Sequence, residues 1–351
     1  MIVVMEHGAT REQIKDVIER IHDTGLQSHP IEGEERTIIG VVGMPLPTSL
    51  QENLGIMPGV AEVVRISTKY KLAGWDFHPQ KTVITLQPQQ APAGTPPIVI
   101  GGDQLTLIAG PCSVESEEQL LTAARGVRAA GATLLRGGAY KPRTSPYEFR
   151  GVGERGLELL AQAWAETGLG IITEVMTPAD VALVGRYTDV FQIGARNAQN
   201  YLLLEEVGQA GKPVMLKRGL SMLIEEWVLA AEYVMAQGNP QVILCERGIR
   251  TFEAATRNTF DVSAVPVAQK MSHLPVFVDP SHAAGKRAYV GALALAGIAA
   301  GADGLMIEAH PNPDHALSDG AQSLSLAELL SLAPTMAAVA AAVGRTMAPV
   351  A

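Results

Sequence analysis

The sequence is poor in cysteine and in aromatic residues. Only two of its 351 residues are cysteines, Cys112 and Cys245, which is too few for a disulfide framework or a four-cysteine zinc site. We therefore expect a reducing, cytoplasmic environment. Aromatic residues make up 5% of the chain and the net charge is −9. Because nucleic-acid binding needs basic surfaces and stacking rings, we expect no nucleic-acid partner.

The sequence also lacks a long uninterrupted apolar run. The smoothest stretch, residues 290–307, is broken by Gly301 and Asp303 and is typical of a buried helix followed by a strand. Glu6 and His7 come too early for the apolar core of a signal peptide. We therefore expect neither a membrane partner nor export.

Residues 1–85 have the pattern of a small separate domain. Apolar residues recur at helical spacing from Ile14 to Ile21, and Gly25 follows as a stop signal. A second, short helix is predicted around residues 49–55. Strands are predicted at residues 1–7, 26–31, 36–43 and 60–67. This βαββαβ order is typical of a small ferredoxin-like α+β domain.

A proline-rich segment without apolar periodicity follows this domain. We predict a linker over residues 86–97, which places the domain boundary there. Residues 97–110 then contain two apolar runs around a Gly-Gly-Asp turn, a pattern that predicts a β-hairpin leading into the second domain.

Eight apolar runs alternate with helical segments in the rest of the chain. They cover residues 106–111, 133–138, 170–175, 189–194, 213–219, 241–248, 275–282 and 304–310. This alternation predicts a parallel α/β sheet, and eight strands close a (β/α)8 TIM barrel, here over residues 98–351. The alternative is an open doubly wound sheet. It would need a glycine-rich dinucleotide loop after its first strand, and AGPCSVES lacks that spacing.

Basic residues gather at the predicted carboxyl ends of these strands, where the active sites of such barrels lie. At least seven occupy strand ends or the loops that follow: Arg136, Lys141, Arg143, Arg196, Lys217, Arg218 and Arg247. Repulsion makes such a ring costly unless anions occupy it, so the pattern predicts a substrate with several negative charges. Arginine makes forked contacts with phosphate or carboxylate, and lysine can also donate a proton. Any single one, such as Arg218, can instead be an ordinary ion-paired residue.

A second set of polar residues follows strands one, seven and eight and the loop beyond them. It consists of Cys112, His282, Glu308 and Asp319. One thiolate, one imidazole and two carboxylates suit one divalent first-row metal ion such as Mn²⁺, Fe²⁺, Co²⁺ or Zn²⁺. Each of the four also has an ordinary structural alternative, because they lie far apart in sequence. Cys245, in the middle of strand six, is predicted to be a core residue rather than a ligand.

Long motifs at most strand ends carry a family resemblance. They read IAGPCSVES, LLRGGAYKPRTSPYEFRGVG, QIGARNAQN, VMLKRG, LCERGIRT, VDPSHAAG and IEAHPNPDHALSDGAQSL. Together they resemble 3-deoxy-D-arabino-heptulosonate 7-phosphate (DAHP) synthase, the first enzyme of the shikimate pathway of aromatic amino acid biosynthesis, and within it the type I beta subgroup. The resemblance covers roughly residues 103–335. The front domain is similar to the ferredoxin-like regulatory domain that some members carry.

The resemblance implies a metal-dependent, aldol-type condensation of phosphoenolpyruvate with erythrose 4-phosphate, with release of phosphate. It implies Cys112, His282, Glu308 and Asp319 as metal ligands, and a catalytic role for Lys141 together with Cys112 and His282. By the same motifs, phosphoenolpyruvate would be held by Arg136, Lys141, Arg196, Lys217 and Arg247. The sugar phosphate would be contacted by Arg143 and Thr144.

The sequence leaves two alternative functions open. A sister family, 3-deoxy-D-manno-octulosonate 8-phosphate synthase, uses arabinose 5-phosphate, but its loop usually reads Lys-Ala-Asn-Arg, whereas Lys141 here precedes Pro-Arg-Thr. That family also normally lacks a front domain. A non-catalytic sensor is the other alternative, and the intact sets of cations and ligands argue against it.

The resemblance further implies a homotetramer and feedback inhibition by tyrosine or phenylalanine bound at the front domain. The alternative is that residues 1–85 serve only oligomerisation.

Overall fold

The structure, a computed structural model, describes residues 1–33, 36–43, 46–47, 49–64, 69–89, 92–141 and 147–349. The chain divides into two compact units. One contains residues 1–80 together with 271–273, and the other contains residues 81–270 and 274–351. Among the described residues, no helix has both the length and the apolar character needed to span a membrane.

The first unit has the predicted βαββαβ order. Its elements are β1 (Ile2–Met5), α1 (Arg11–His22), β2 (Gln27–Glu32), β3 (Thr37–Val42), α2 (Leu50–Gly55) and β4 (Val60–Val64). The strands form an antiparallel sheet in the order β2-β3-β1-β4. Helix α1 begins at a capping box in which the Thr10 side chain accepts from the Gln13 backbone amide. Its Val17 and Ile21 are buried in the core of this unit, so the ferredoxin-like prediction is confirmed.

The second unit is a closed barrel. Its strands are β7 (Gln104–Gly110), β8 (Leu134–Arg136), β9 (Gly170–Glu174), β10 (Val190–Ile193), β11 (Val214–Lys217), β12 (Val242–Glu246), β13 (Val276–Val278) and β14 (Gly304–His310). Neighbouring strands pair in parallel, and β14 pairs with β7 from Gly304 opposite Thr106 to Glu308 opposite Gly110. The (β/α)8 prediction is therefore confirmed and the open sheet is excluded.

Helices follow the barrel strands. They are α3 (Glu117–Ala129), α4 (Glu154–Thr167), α5 (Val181–Gly185), α6 (Tyr201–Gln209), α7 (Ile224–Met235), α8 (Ala264–Met271), α9 (Pro280–Ala284), α10 (Arg287–Ala299) and α11 (Leu326–Ala342). Two short strands, β15 (Leu324–Ser325) and β16 (Thr346–Met347), add to β14 and β7. Inward-facing side chains from the barrel strands, Cys245 among them, fill the interior, which agrees with the core assignment of this cysteine.

The predicted hairpin around the Gly-Gly-Asp turn is wrong. Strand β6 (Ile98–Ile100) pairs antiparallel with β5 (Ile84–Leu86), not with the barrel strand that follows it. Side chains of β5 and β6 pack into the same cluster as the barrel interior, which outweighs the local turn signal. Residues 87–97, predicted as part of a linker, thus connect two paired strands, and the two compact units divide at Gln80 and Lys81.

Candidate active site

A cavity of about 300 Å³ lies at the carboxyl ends of the barrel strands. Its lining is rich in cations: Arg136, Lys141, Arg196, Lys217, Arg247 and Arg257. Five of these six come from the predicted ring. The sixth, Arg257, lies in the loop after β12, where the sequence offers no strand-end signal. Arg143 and Thr144 lie outside the described residues.

Two of the lining arginines are buried with nitrogen atoms that lack hydrogen-bond partners among the described groups. They are Arg136, through Nε and Nη1, and Arg247, through Nη1. Burial also lowers the pKa of Arg247, because its charge is poorly solvated there. Arg136 is ion-paired with Glu308 through Nη2, but its other nitrogens and Nη1 of Arg247 still lack acceptors, which a phosphate or carboxylate ligand would supply.

Arg218 does not line this cavity. Its Nη1 lies 3.0 Å from Glu246 Oε2 and 2.8 Å from Asp261 Oδ2, so it is a buried ion-paired residue. Lys217, one position earlier, does line the cavity, as expected because successive strand side chains point to opposite faces. The structure therefore places Lys217 in the lining of the cavity, whereas Arg218 has the ion-paired role that the sequence left open.

Three of the four predicted metal ligands converge beside the cavity. Ligand atoms of Cys112, Glu308 and Asp319 all lie within 4.8 Å of one another. The Cys112 Sγ is 3.2 Å from Asp319 Oδ2. Glu308, near the carboxyl end of β14, is fully buried, and its Oε1 lies 3.0 Å from Arg136 Nη2 as a buried ion pair. Because this oxygen accepts no hydrogen bond of good geometry among the described groups, it is suited to metal coordination.

The fourth predicted ligand, His282, lies directly beside these three. Its Nε2 is 3.5 Å from Glu308 Oε1, and its Nδ1 is 2.7 Å from Asp279 Oδ2. The same Asp279 oxygen accepts a hydrogen bond of 2.6 Å from Lys217 Nζ, while its Oδ1 accepts from the His282 backbone amide. Asp279 is thus both the N-cap of α9 and the residue that holds the imidazole. Asp279 is not among the predicted site residues, although an Asp three positions before His and directly before Pro280 is a recognisable N-cap pattern.

The protonation states of this cluster follow from burial and charge. Burial lowers the pKa of His282 to about 4, so its imidazole is neutral near pH 7. Burial, together with the charge of Glu308, raises the pKa of the Cys112 thiol to about 12. Burial opposes ionisation of Asp319, but His282 and the Cys112 hydrogen bond bring its pKa down to about 2. Neutral imidazole, ionised carboxylate and a thiol that a metal can deprotonate form a donor set that fits a divalent first-row ion.

Two glycines leave room for the polar side chains of the cavity. A Cβ at Gly194 would lie 2.0 Å from Glu174 Oε1, and one at Gly138 would lie 2.6 Å from Lys141 Cδ. Lys141 is buried and both it and Glu174 line the cavity. Burial opposes the ammonium charge, but Cys112 and Glu174 raise the pKa of Lys141 above its usual value. Lys141 therefore carries a proton at neutral pH.

The two units match two parts of one family. Residues 81–344 match the DAHP synthetase I family, and residues 1–68 match the DAHP synthase ferredoxin-like domain. Among curated proteins, the chain is 47% identical to the phospho-2-dehydro-3-deoxyheptonate aldolase of Thermotoga maritima over 98% of this chain and 99% of that protein. It is 33% identical to the 2-dehydro-3-deoxyphosphooctonate aldolase of Syntrophobacter fumaroxidans over 66% of this chain and 86% of that protein.

Solved structures agree with this match. The crystal structure of the Thermotoga maritima aldolase, a DAHP synthase, superposes with a TM-score of 0.75 at 46% identity and covers 98% of both chains. A truncated form of that synthase gives a TM-score of 0.71 at 47% identity and covers 79% of this chain and 98% of its own. Two family matches, a full-length relative and a full-length structural neighbour therefore agree, and this chain belongs to the DAHP synthetase I family.

Proposed function

We propose that the protein condenses phosphoenolpyruvate with D-erythrose 4-phosphate and water to give DAHP and phosphate. The observation that carries this proposal is one cavity lined by six cations next to the cluster of Cys112, Glu308 and Asp319. Family membership supplies the reaction, and the cavity has the charge needed for two phosphorylated substrates.

Phosphoenolpyruvate would be held by Arg136, Lys141, Arg196, Lys217 and Arg247. Arg136 and Arg247 supply the buried guanidinium nitrogens that lack acceptors. Lys217 is already held by Asp279 through a 2.6 Å hydrogen bond, which fixes its position before any substrate arrives. Such fixed groups position two reactants, an effect that contributes up to roughly 7–11 kcal/mol in intramolecular systems. Arg143 and Thr144 remain our candidates for the sugar phosphate.

Cys112, His282, Glu308 and Asp319 would hold one divalent ion, Mn²⁺, Fe²⁺, Co²⁺ or Zn²⁺. When bound, such an ion supplies Lewis acidity that polarises the aldehyde oxygen of the sugar. Asp279 keeps the His282 ring in place, so that Nε2 and not Nδ1 faces Glu308.

In the reaction, a bond forms between C3 of phosphoenolpyruvate and the aldehyde carbon of erythrose 4-phosphate. Water adds at C2, the C2–O bond to phosphate breaks, and C2 becomes a ketone. Of the two protons that the water loses, one leaves with the phosphate and the other balances the proton that the aldehyde oxygen gains. The aldehyde oxygen becomes a hydroxyl and needs a proton. Lys141 carries a proton at neutral pH and lines the cavity that adjoins the proposed metal ligands. We therefore assign Lys141 the role of proton donor to this oxygen, in addition to its contact with phosphoenolpyruvate.

The test is an initial-rate assay on metal-stripped enzyme resupplied with single divalent metals. Phosphate release from phosphoenolpyruvate should depend on added metal and on erythrose 4-phosphate. Arabinose 5-phosphate, the acceptor of the sister family, is run beside it and should give little turnover. A preference for arabinose 5-phosphate would assign the chain to the alternative reaction, and no release with either sugar would favour the sensor.

The first unit is proposed as a regulatory domain that binds tyrosine or phenylalanine. It contains a cavity of about 370 Å³ lined by Glu32, Arg36, Ile38 and His78, among others. A carboxylate, a guanidinium and apolar surface match the ammonium, carboxylate and side chain of such an amino acid. We also propose that the protein is a cytoplasmic homotetramer, as the family resemblance implies. Light scattering would measure the number of subunits.

A further inference from the structure

The buried side chain of Gln322 contacts Glu308, one of the four proposed metal ligands, without being a proposed ligand itself. Its Nε2 donates a 2.6 Å hydrogen bond to Glu308 Oε2. Its Oε1 accepts a 2.8 Å hydrogen bond from Arg257 Nη1. Because a guanidinium can only donate and an ionised carboxylate can only accept, these two neighbours leave the amide a single orientation.

The hydrogen bond from Gln322 distinguishes the two oxygens of Glu308. Oε2 is occupied by the amide, whereas Oε1 faces the cluster, 3.5 Å from His282 Nε2 and 3.0 Å from Arg136 Nη2. Oε1 is ion-paired with Arg136, but it accepts no hydrogen bond of good geometry among the described groups. The lone pairs left for coordination therefore lie on the oxygen that points towards the other ligands.

Gln322 and Asp319 belong to one turn. Asp319 has a left-handed backbone with φ 52°, and the 3-10 helix Gly320–Gln322 follows it directly. The Gln322 backbone amide donates to the Asp319 carbonyl over 3.2 Å. A left-handed aspartate is uncommon and persists only where surrounding contacts hold it. The turn thus delivers one proposed ligand, Asp319, together with the amide that orients another, Glu308.

Arg257, the partner of Gln322, is itself fixed to the segment that carries His282. Its backbone amide donates to the Ala284 carbonyl over 3.1 Å. The adjacent Asn258 side chain donates to the His282 carbonyl over 2.7 Å. The Arg257 guanidinium also lies 3.6 Å from Asp319 Oδ1. Contacts of Arg257 and Gln322 therefore reach the segments of three of the four proposed ligands.

We infer that Gln322 is a positioning residue of the metal centre, held by Arg257, that presents Glu308 Oε1 to the ion. The inference rests on the proposed function, since it needs a metal at Cys112, Glu308, Asp319 and His282. Substitution of residues that orient metal ligands typically lowers metal affinity 10- to 100-fold. A Gln322 that served only to fill space would leave that affinity unchanged when replaced by a side chain of similar length.

The experiment titrates Co²⁺ into the metal-stripped full-length protein and follows the near-ultraviolet absorption of a Co²⁺–thiolate bond. Gln322→Met keeps the length of the side chain and removes both hydrogen bonds. We expect a dissociation constant 10- to 100-fold above that of the parent. The matched control is Gln209→Met on α6, where the exposed side chain donates to Gln237 Oε1. It should bind like the parent.

A second variant keeps the test decisive if Gln322→Met does not fold. Gln322→Glu keeps the size of the side chain and the partner Arg257, but it places an acceptor against Glu308 Oε2, so we expect at least the same loss of affinity. Thermal melts are recorded first to show which variants fold. The dissociation constant of a folded variant for Co²⁺ then decides the test. Affinity within twofold of the parent in a folded variant would overturn the inference.

The parent and Cys112→Ser separate this inference from the proposed function. If the parent binds Co²⁺ with no thiolate absorption, or if Cys112→Ser binds as tightly as the parent, the proposed metal centre is wrong. If the parent and Cys112→Ser behave as expected and Gln322→Met binds like the parent, only the role of Gln322 is wrong.

Discussion

The Oδ2 atom of Asp279 lies 2.7 Å from Nδ1 of His282, and with this contact the other ring nitrogen, Nε2, lies 3.5 Å from Glu308 Oε1. Asp279 is fully buried, and the charges of His282 and Lys217 bring its pKa well below the usual value although burial opposes ionisation. A buried carboxylate next to a ligand imidazole both orients the ring and raises its basicity.

We expect Asp279→Asn to weaken metal binding about 10- to 100-fold. The asparagine can still accept the His282 backbone hydrogen bond that caps α9, so the local fold should persist while the charge beside Nδ1 is lost. The measurement is the dissociation constant for Co²⁺. Asp314→Asn is the control, since that carboxylate is exposed and pairs with Arg287. Unchanged affinity in Asp279→Asn would show that the contact does not tune the ligand.

The barrel is predictable from sequence because each strand is a short, mostly apolar and mostly buried run, and polar residues are concentrated where the strands end. Which of two adjacent basic residues enters the cavity was less evident: Lys217 does and Arg218 does not. The pairing of β6 with β5 was missed because Ile84 and Leu86 pack into the barrel interior, a long-range contact that outweighs a local turn signal.

Residues that act through a neighbour were not identified from sequence. Asp279 contacts the site through His282, and Gln322 contacts it through Glu308. Arg257 lines the cavity itself and also contacts Gln322 and Asp319. Their spacing in the chain carries no ligand pattern, because the contacts depend on loop conformation. The residue types of Cys112, His282, Glu308 and Asp319 suggest a metal donor set, but each keeps a structural alternative, and only the family resemblance implies all four as ligands. The structure brings the ligand atoms of Cys112, Glu308 and Asp319 together.

Lys141→Met should lower kcat by about 10²–10⁴-fold, the usual contribution of a positioned proton donor, and should also raise KM for phosphoenolpyruvate. The methionine keeps most of the side chain that packs over Gly138, so the fold should be unaffected. Steady-state kinetics with saturating metal give both constants. Lys286→Met serves as the control, because Lys286 is outside the lining of the cationic cavity and donates to the Ala255 carbonyl. A Lys141→Met enzyme that binds metal and both substrates yet turns over normally would exclude the proton-donor role.

Removal of the first unit tests both the boundary and the regulatory proposal. A chain that starts at Lys81 keeps β5, whose Ile84 and Leu86 are buried in the barrel core, whereas a chain that starts at residue 91 loses them. Burying each such side chain contributes about 1.5–3 kcal/mol, so the shorter chain should melt at a clearly lower temperature. The chain from Lys81 should keep turnover and lose inhibition by tyrosine or phenylalanine. Inhibition that survives this truncation would place the effector site elsewhere.

The carboxyl of Asp189 should make the protein less stable as the pH rises, the opposite of an ion-paired aspartate, whose pKa is lowered on folding. Burial raises its pKa to about 6, although the backbone amides of Ile171 and Gln89 donate to the carboxylate. The folded state therefore holds the proton more tightly than the unfolded chain, whose aspartate pKa is about 3.9. The stabilisation is complete below that value and is lost as the pH rises through about 6. Between pH 4.5 and 7.5 the loss is about 2 kcal/mol.

Asp189→Asn removes this titration. We expect its melting temperature, relative to that of the parent, to increase by a few degrees as the pH is raised from 4.5 to 7.5. Asp16→Asn, at an exposed position on α1, should show no such trend. The comparison of each variant with the parent at every pH cancels the titrations that they share. A difference between Asp189→Asn and the parent that stays constant with pH would mean that the carboxyl of Asp189 is already ionised in the folded protein at pH 4.5.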